Sequence, residues 1–112
     1  MPVYKSDNKH GKEIAPGVFR KIAHLEKIMA ATIEFTGGPM DQPDKPHSHP
    51  HEQVSYVAAG SLYLFLGEEK HLLEEGDLFL VPSNVPHSIQ TLSEKVKLVD
   101  VFTPLREEFL TD

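Results

Sequence analysis

The sequence predicts an all-β chain, an antiparallel sandwich or barrel, and three observations carry that expectation. Turn-forming residues recur about every ten positions, at Asn8, Pro16-Gly17, Gly37-Gly38-Pro39, Pro43 to Pro46, Gly60, Gly67, Gly76-Asp77, Pro82 to Pro86 and Pro104. The stretches between them are rich in Val, Ile, Leu, Phe, Tyr and Thr, which suit a pleated, half-buried surface. Most of the 9 prolines fall at these turns and leave no room for a long helix. The length of 112 residues implies a single domain. Such a domain buries roughly two-thirds of its unfolded surface, enough for a core without staples.

The turns delimit the strands in order. A short strand at 13–15 stops at Pro16-Gly17, and strands at 18–24 and 27–36 lie between that turn and Gly37. Strands at 53–59 and 61–67 are divided by Gly60, and the second ends at Gly67. Strands at 70–73 and 77–81 flank Gly76, a strand at 87–92 follows Pro86, and the last at 95–102 stops short of Pro104. The segment 106–110 fits one helical turn or an extended arm.

Side-chain alternation adds detail. In Ser61-Leu62-Tyr63-Leu64-Phe65-Leu66 both faces are apolar, so this strand is expected to be covered on both sides. In the last strand, Asp100 shares a face with Val96, Leu98 and Phe102. A carboxylate there must be paired, protonated or bound to something, because an isolated buried charge is expensive.

Composition excludes several classes of function. With 17 acidic and 11 basic residues the formal charge is -6, which argues against nucleic acid as a partner. No apolar run approaches the ~20 residues of a membrane span. The polar first residues lack the apolar stretch of a signal peptide. Cysteine is absent, which rules out disulfides, thiolate catalysis and Cys-ligated zinc, and a reducing cytoplasm is the default expectation.

The 7 histidines supply the sharpest chemical signal. In His47-Ser48-His49-Pro50-His51-Glu52-Gln53, the residues His47, His49, His51 and Gln53 share one parity, although Pro50 must disturb the geometry. Neutral imidazoles two apart on extended backbone project side by side and can share one ion, and Gln53 adds an amide oxygen. The fourth ligand expected from elsewhere is His87, whose backbone is pre-set by Pro82 and Pro86. His51 fits a spare ligand, a second layer around the site or a substrate contact. His10, His24 and His71 have no ligand spacing and read as surface or satisfied residues.

Two stretches carry a family resemblance. His47-Ser48-His49, then Gln53 and Gly60, resembles the first cupin motif. Gly76-Asp77-Leu78-Phe79-Leu80-Val81-Pro82, then His87, resembles the second. The motifs span about 46–60 and 76–87, followed by a C-terminal strand and tail at 95–112. The resemblance implies a double-stranded β-helix, the cupin jelly-roll barrel, with a metal inside it. Most metal cupins have Glu where this chain has Gln53. The neutral amide leaves a bound ion more positive and a stronger Lewis acid.

The tail Leu98-Val99-Asp100-Val101-Phe102-Thr103-Pro104-Leu105-Arg106-Glu107-Glu108-Phe109-Leu110 narrows the resemblance to the pectin-degradation cupins. Pro50-His51-Glu52-Gln53, Val81-Pro82-Ser83-Asn84-Val85-Pro86-His87 and Gly17-Val18-Phe19-Arg20-Lys21-Ile22 are similar to that family as well. It implies conversion of cyclic 4,5-unsaturated uronates from pectin or alginate into their open-chain keto form. It places the ligands of one divalent first-row ion (Zn, Ni, Fe or Mn) on His47, His49, Gln53 and His87. It places active-site residues on Asp100, Phe102 and Arg106.

The residue chemistry suits that reaction. Asp100 on an apolar face can carry a raised pKa and shuttle a proton, or be a paired structural carboxylate. Arg106 and Arg20, the two arginines, can each clamp a carboxylate in two-pronged fashion, or form a surface ion pair. Phe102 fits a wall against the sugar ring and equally fits core packing. The expected partner besides a sugar acid is a second copy, because exposed β edges need covering. The rival readings are another small metal cupin enzyme, such as a dioxygenase or a sugar isomerase, and a sugar- or metal-binding module without turnover.

Overall fold

The nine predicted strands all form. The computed structural model describes residues 3–7 and 9–110, so the Asn8 turn lies outside the described residues. The strands are β1 (Gly11–Ala15), β2 (Val18–His24), β3 (Met29–Phe35), β4 (Glu52–Ala59), β5 (Leu62–Leu66), β6 (Glu69–Leu73), β7 (Leu78–Val81), β8 (His87–Thr91) and β9 (Val96–Thr103). A single 3-10 turn, Glu107–Phe109, follows them. The expected strand at 27–36 is shorter than predicted. Its first residues instead enter a turn closed by the Leu25 N–H donating to the Ile28 carbonyl at 2.9 Å.

Two antiparallel sheets face each other, one ordered β1-β2-β3-β9-β4-β7 and the other β6-β5-β8. This is the jelly-roll barrel of a single domain. Its radius of gyration, 13.7 Å, is close to the ~13 Å of one folded unit of this length. No helix among the described residues is long and apolar enough to cross a membrane.

Alternation builds the interior. On β9, Val96, Leu98, Asp100 and Phe102 are all buried, as the pattern predicts. Val57, Leu62, Leu64, Phe79, Val81, Val96 and Leu98 form one core cluster, and Met29, Ala31 and Phe102 form a second. The expectation that β5 is covered on both sides needs correcting. Leu62 and Leu64 face the core, but Tyr63 and Phe65 are only half-buried. What covers them is Lys70, whose ammonium lies 4.2 Å from the Tyr63 ring centroid and 5.8 Å from that of Phe65. Gly60 is required between β4 and β5. Its φ is +81°, and a side chain there would run into the Lys95 carbonyl oxygen.

Part of the outer face of the large sheet is apolar, flanked by Lys21, Glu34, Lys97 and Glu52. In register across β7, β4, β9 and β3, Leu80, Val54, Val101 and Ala30 form one row, and Leu78, Tyr56, Val99 and Thr32 form the next. Leu78 and Leu80 are 64% and 63% exposed.

Candidate metal centre and its cavity

The turn at 82–86 and the 47–53 segment build the site together. His47 and His87 exchange both backbone hydrogen bonds, at 3.0 and 2.9 Å. The Asn84 N–H donates to the His49 carbonyl at 2.8 Å, and the Ser83 hydroxyl donates to the Pro50 carbonyl at 2.7 Å. Asn84 takes a left-handed φ of 64°, which Asn tolerates better than most residues. These contacts bring the imidazoles of His47, His49 and His87 together, with one ring nitrogen of each within 4.8 Å of the others.

The donor set fits a cation. His87 Nδ1–H donates to the Val85 carbonyl at 2.9 Å, which leaves Nε2 with a lone pair. His49 Nδ1–H donates to the His51 carbonyl at 3.0 Å, so its Nε2 lone pair faces the Gln53 Oε1 at 3.2 Å. Two lone pairs at that separation call for a shared cation or for a protonated ring. Protonation is opposed: burial first, then the Arg106 charge, holds His49 below its ordinary range. His47 is pushed down to about 4 by burial, then by His87, Arg106 and His49. Burial likewise lowers His87. The three rings are therefore neutral at pH 7 and able to coordinate.

A hydrogen-bonded line runs from this cluster to the buried carboxyl. Gln53 Nε2 donates to Ser55 Oγ at 2.9 Å, and Ser55 Oγ donates to Asp100 Oδ1 at 2.6 Å. Asp100 is raised to about 6 because burial outweighs the opposing Ser55 hydrogen bond and Arg106 charge.

The tail closes the other side. Arg106 lies 5.2 Å from the Phe102 ring centroid and 4.1 Å from that of Phe109, and Arg20 lies 4.2 Å from Phe109. One ring thus collects both guanidiniums. Arg106 also donates from Nε and Nη2 to Glu108 Oε2, at 3.3 and 3.1 Å. Phe102 sits edge-on to His49 and Phe109, with centroids 5.9 and 5.8 Å away.

Seven of the eight predicted site residues, Arg20, His47, Gln53, His87, Asp100, Phe102 and Arg106, line one cavity of about 540 Å³, and His49 stands in the imidazole cluster beside it. His51 leaves the row that parity gave it. The backbone bends at Pro50-His51, and His51 Nε2 donates to the Leu105 carbonyl at 3.1 Å, tying the tail down. The sequence reading missed Ser55 and Phe109. Ser55 was findable, since it shares Gln53's parity and pairs with Asp100 once β4 and β9 are aligned. Phe109 has no spacing signal.

Residues 33–102 match the Cupin_2 family, described as a cupin domain. The chain is 34% identical over 106 residues to the pectin degradation protein KdgF of Dickeya dadantii, covering 93% of this chain and 94% of that protein. It is 35% identical over 88 residues to the 3-hydroxyanthranilate 3,4-dioxygenase of Homo sapiens, covering 75% of this chain but only 29% of that one. Among solved structures, KdgF from Halomonas sp. superimposes with a TM-score of 0.85 at 31% identity, covering 96% of this chain and 99% of that one. An RmlC-like cupin from Shewanella frigidimarina gives 0.83 at 29% identity, covering 97% and 96%.

Proposed function

The chain belongs to the cupin-domain family, and within it to the pectin-degradation cupins; on that premise we propose that it opens the ring of cyclic 4,5-unsaturated uronates from pectin or alginate and tautomerises them to the open-chain keto form. The observation that carries the reading is the line of hydrogen bonds joining the buried Asp100 carboxyl to Gln53 and the imidazoles, inside one cavity with two guanidiniums.

In this reading His47, His49, Gln53 and His87 hold one divalent first-row ion. Such an ion supplies a Lewis acid for the substrate's oxygens.

The remaining chemistry belongs to the chain. Ser55 occupies Asp100 Oδ1, so Oδ2 is the atom that takes the proton of the anomeric hydroxyl. As that proton leaves, the C1 carbonyl forms and the C1–O5 bond breaks. The electron pair departs on the C5 oxygen as an enolate. Protonated Asp100 then returns a proton to C4, the C4=C5 double bond becomes single, and C5 becomes a ketone. Substrate and product are isomers, so no co-reactant is needed. A carboxyl raised to about 6 reaches both protonation states near neutral pH, as a shuttle requires.

Arg106 bonds Glu108 through Nε and Nη2, which leaves its Nη1–Nη2 edge for the substrate carboxylate. Arg20, held by the same aromatic ring, is the second clamp. Phe102 serves as both core and wall: it is 2% exposed, yet it lines the cavity.

The same reading takes a second copy of the chain as the macromolecular partner, seated on the outer face of the large sheet. The two rows there carry no charge of their own on a chain of formal charge -6, so they offer a second copy an apolar contact between the flanking charges Lys21, Glu34, Lys97 and Glu52.

The test is incubation of the metal-loaded protein with 4,5-unsaturated galacturonate. Ultraviolet absorbance of the conjugated ring should fall, NMR should show the open-chain ketone, and an oxygen electrode should stay flat. Oxygen uptake would replace the reading with a dioxygenase. Thermal stabilisation by the uronate without product would replace it with a binding module.

A further inference from the structure

We propose that Ser55 is a positioning residue: its hydroxyl dictates which end of the Gln53 amide faces the imidazoles. This rests on the reading of Gln53 as a ligand and follows from where the hydrogens can go. Ser55 has one hydroxyl hydrogen. Its Oγ lies 2.6 Å from Asp100 Oδ1, and an ionised carboxylate only accepts, so that hydrogen goes to Asp100. Ser55 Oγ can then only accept from Gln53, at 2.9 Å, so the amide must present its NH2 there. The carbonyl oxygen is thereby turned to the histidines, 3.2 Å from His49 Nε2.

The reversed amide fails on two counts. Its oxygen and the Asp100 carboxylate would compete for one hydrogen. Its NH2 would face the imidazoles, and an amide nitrogen has no lone pair to offer a cation. A Glu at position 53 would need no such help, since either carboxylate oxygen can face the ion. An amide ligand creates the need for an orienting partner, and β4 supplies it two residues on, on the same inward face and directly opposite Asp100 in β9. Ser55 is 0% exposed, so water does not take over the role. Second-layer partners of this kind hold ligand geometry in metal sites generally.

The test is a double-mutant cycle on affinity for zinc(II) alone, by competition with a chromophoric chelator at pH 7.5. Ser55→Ala should weaken zinc binding by about 10- to 100-fold. Because Ser55 acts through Gln53, the double variant Gln53→Ala/Ser55→Ala should bind zinc as Gln53→Ala does, within about twofold. A serine that merely supports the fold would weaken the site whatever stands at position 53. Melting curves of the metal-free variants check that each is folded. Native-like zinc affinity in Ser55→Ala overturns the proposal, as does an equal further loss in the Gln53→Ala background. If Gln53→Ala alone leaves affinity unchanged, the ligand set beneath the inference is what fails.

Discussion

Replacing Asp100 by Asn should make the protein more stable and less active at once. The side chain is 5% exposed, and its carboxyl is raised from 3.8 to about 6, first of all by burial. The sign follows from proton linkage. Below pH 3.8 the group is protonated in both folded and unfolded states and costs nothing. As pH rises from there to about 6 the folded state keeps a proton that the unfolded state releases, so stability falls across that window. Above it the folded protein carries an unfavourable buried charge, corresponding to about 3 kcal/mol by the difference between 3.8 and about 6. Asn keeps the shape, and its amide oxygen still accepts the Ser55 hydroxyl. Metal-free Asp100→Asn should therefore melt higher than the native chain at pH 7.5, by up to roughly 13 °C. The two should melt alike near pH 4. Turnover should fall by about 10²- to 10⁴-fold, the usual worth of a placed proton carrier. The assays are calorimetry at both pH values and uronate turnover. Turnover within about threefold of native, or a lower melting temperature at pH 7.5, refutes the argument and leaves Asp100 a structural carboxylate.

Other perturbations probe separate parts of the account. His87→Ala removes one of three clustered imidazoles and should lower zinc affinity at least ~100-fold in a chelator competition; full occupancy would dismantle the ligand set. Arg106→Lys keeps the charge but loses the two-pronged edge, so KM for the uronate should rise about 10- to 100-fold while zinc affinity holds; an unchanged KM would move the clamp to Arg20. In metal-free Asp100→Asn, where the opposing carboxyl is gone, stability should fall as pH drops from 6.5 toward about 4, because His47 is neutral when folded and protonated when unfolded; urea melts of that variant at pH 7 and pH 4.5 read this, and equal midpoints would contradict it. Leu80→Glu puts a charge into the apolar outer rows and should leave a folded monomer by light scattering, where the native chain should give the mass of a dimer; a native monomer would sink the pairing.

The strands were legible because turns and alternation are local. Gly60, Gly67 and Gly76 mark ends that any antiparallel pairing must respect, and each takes a positive φ. The imidazole cluster was legible from the 47–53 spacing and the proline-fixed His87. Asp100 was legible because a charge on an apolar face demands an explanation. Other features depend on long-range register or tail docking and were not. Ser55 acquires its role only when β4 pairs with β9. Phe109 does so only when the tail folds back over Arg20 and Arg106. His51 was open because Pro50 breaks the alternation, and the Leu105 carbonyl that holds it lies 54 residues away.

The most direct test of the central claim is NMR of the product formed from 4,5-unsaturated galacturonate in D2O. The metal-loaded protein should speed conversion to the open-chain ketone and place deuterium in only one of the two C4 positions, since the deuteron comes from Asp100 on one face. A chelator should abolish the acceleration, and added metal should restore it. A rate equal to that of the substrate alone, or deuterium spread equally over both C4 positions, would contradict the account.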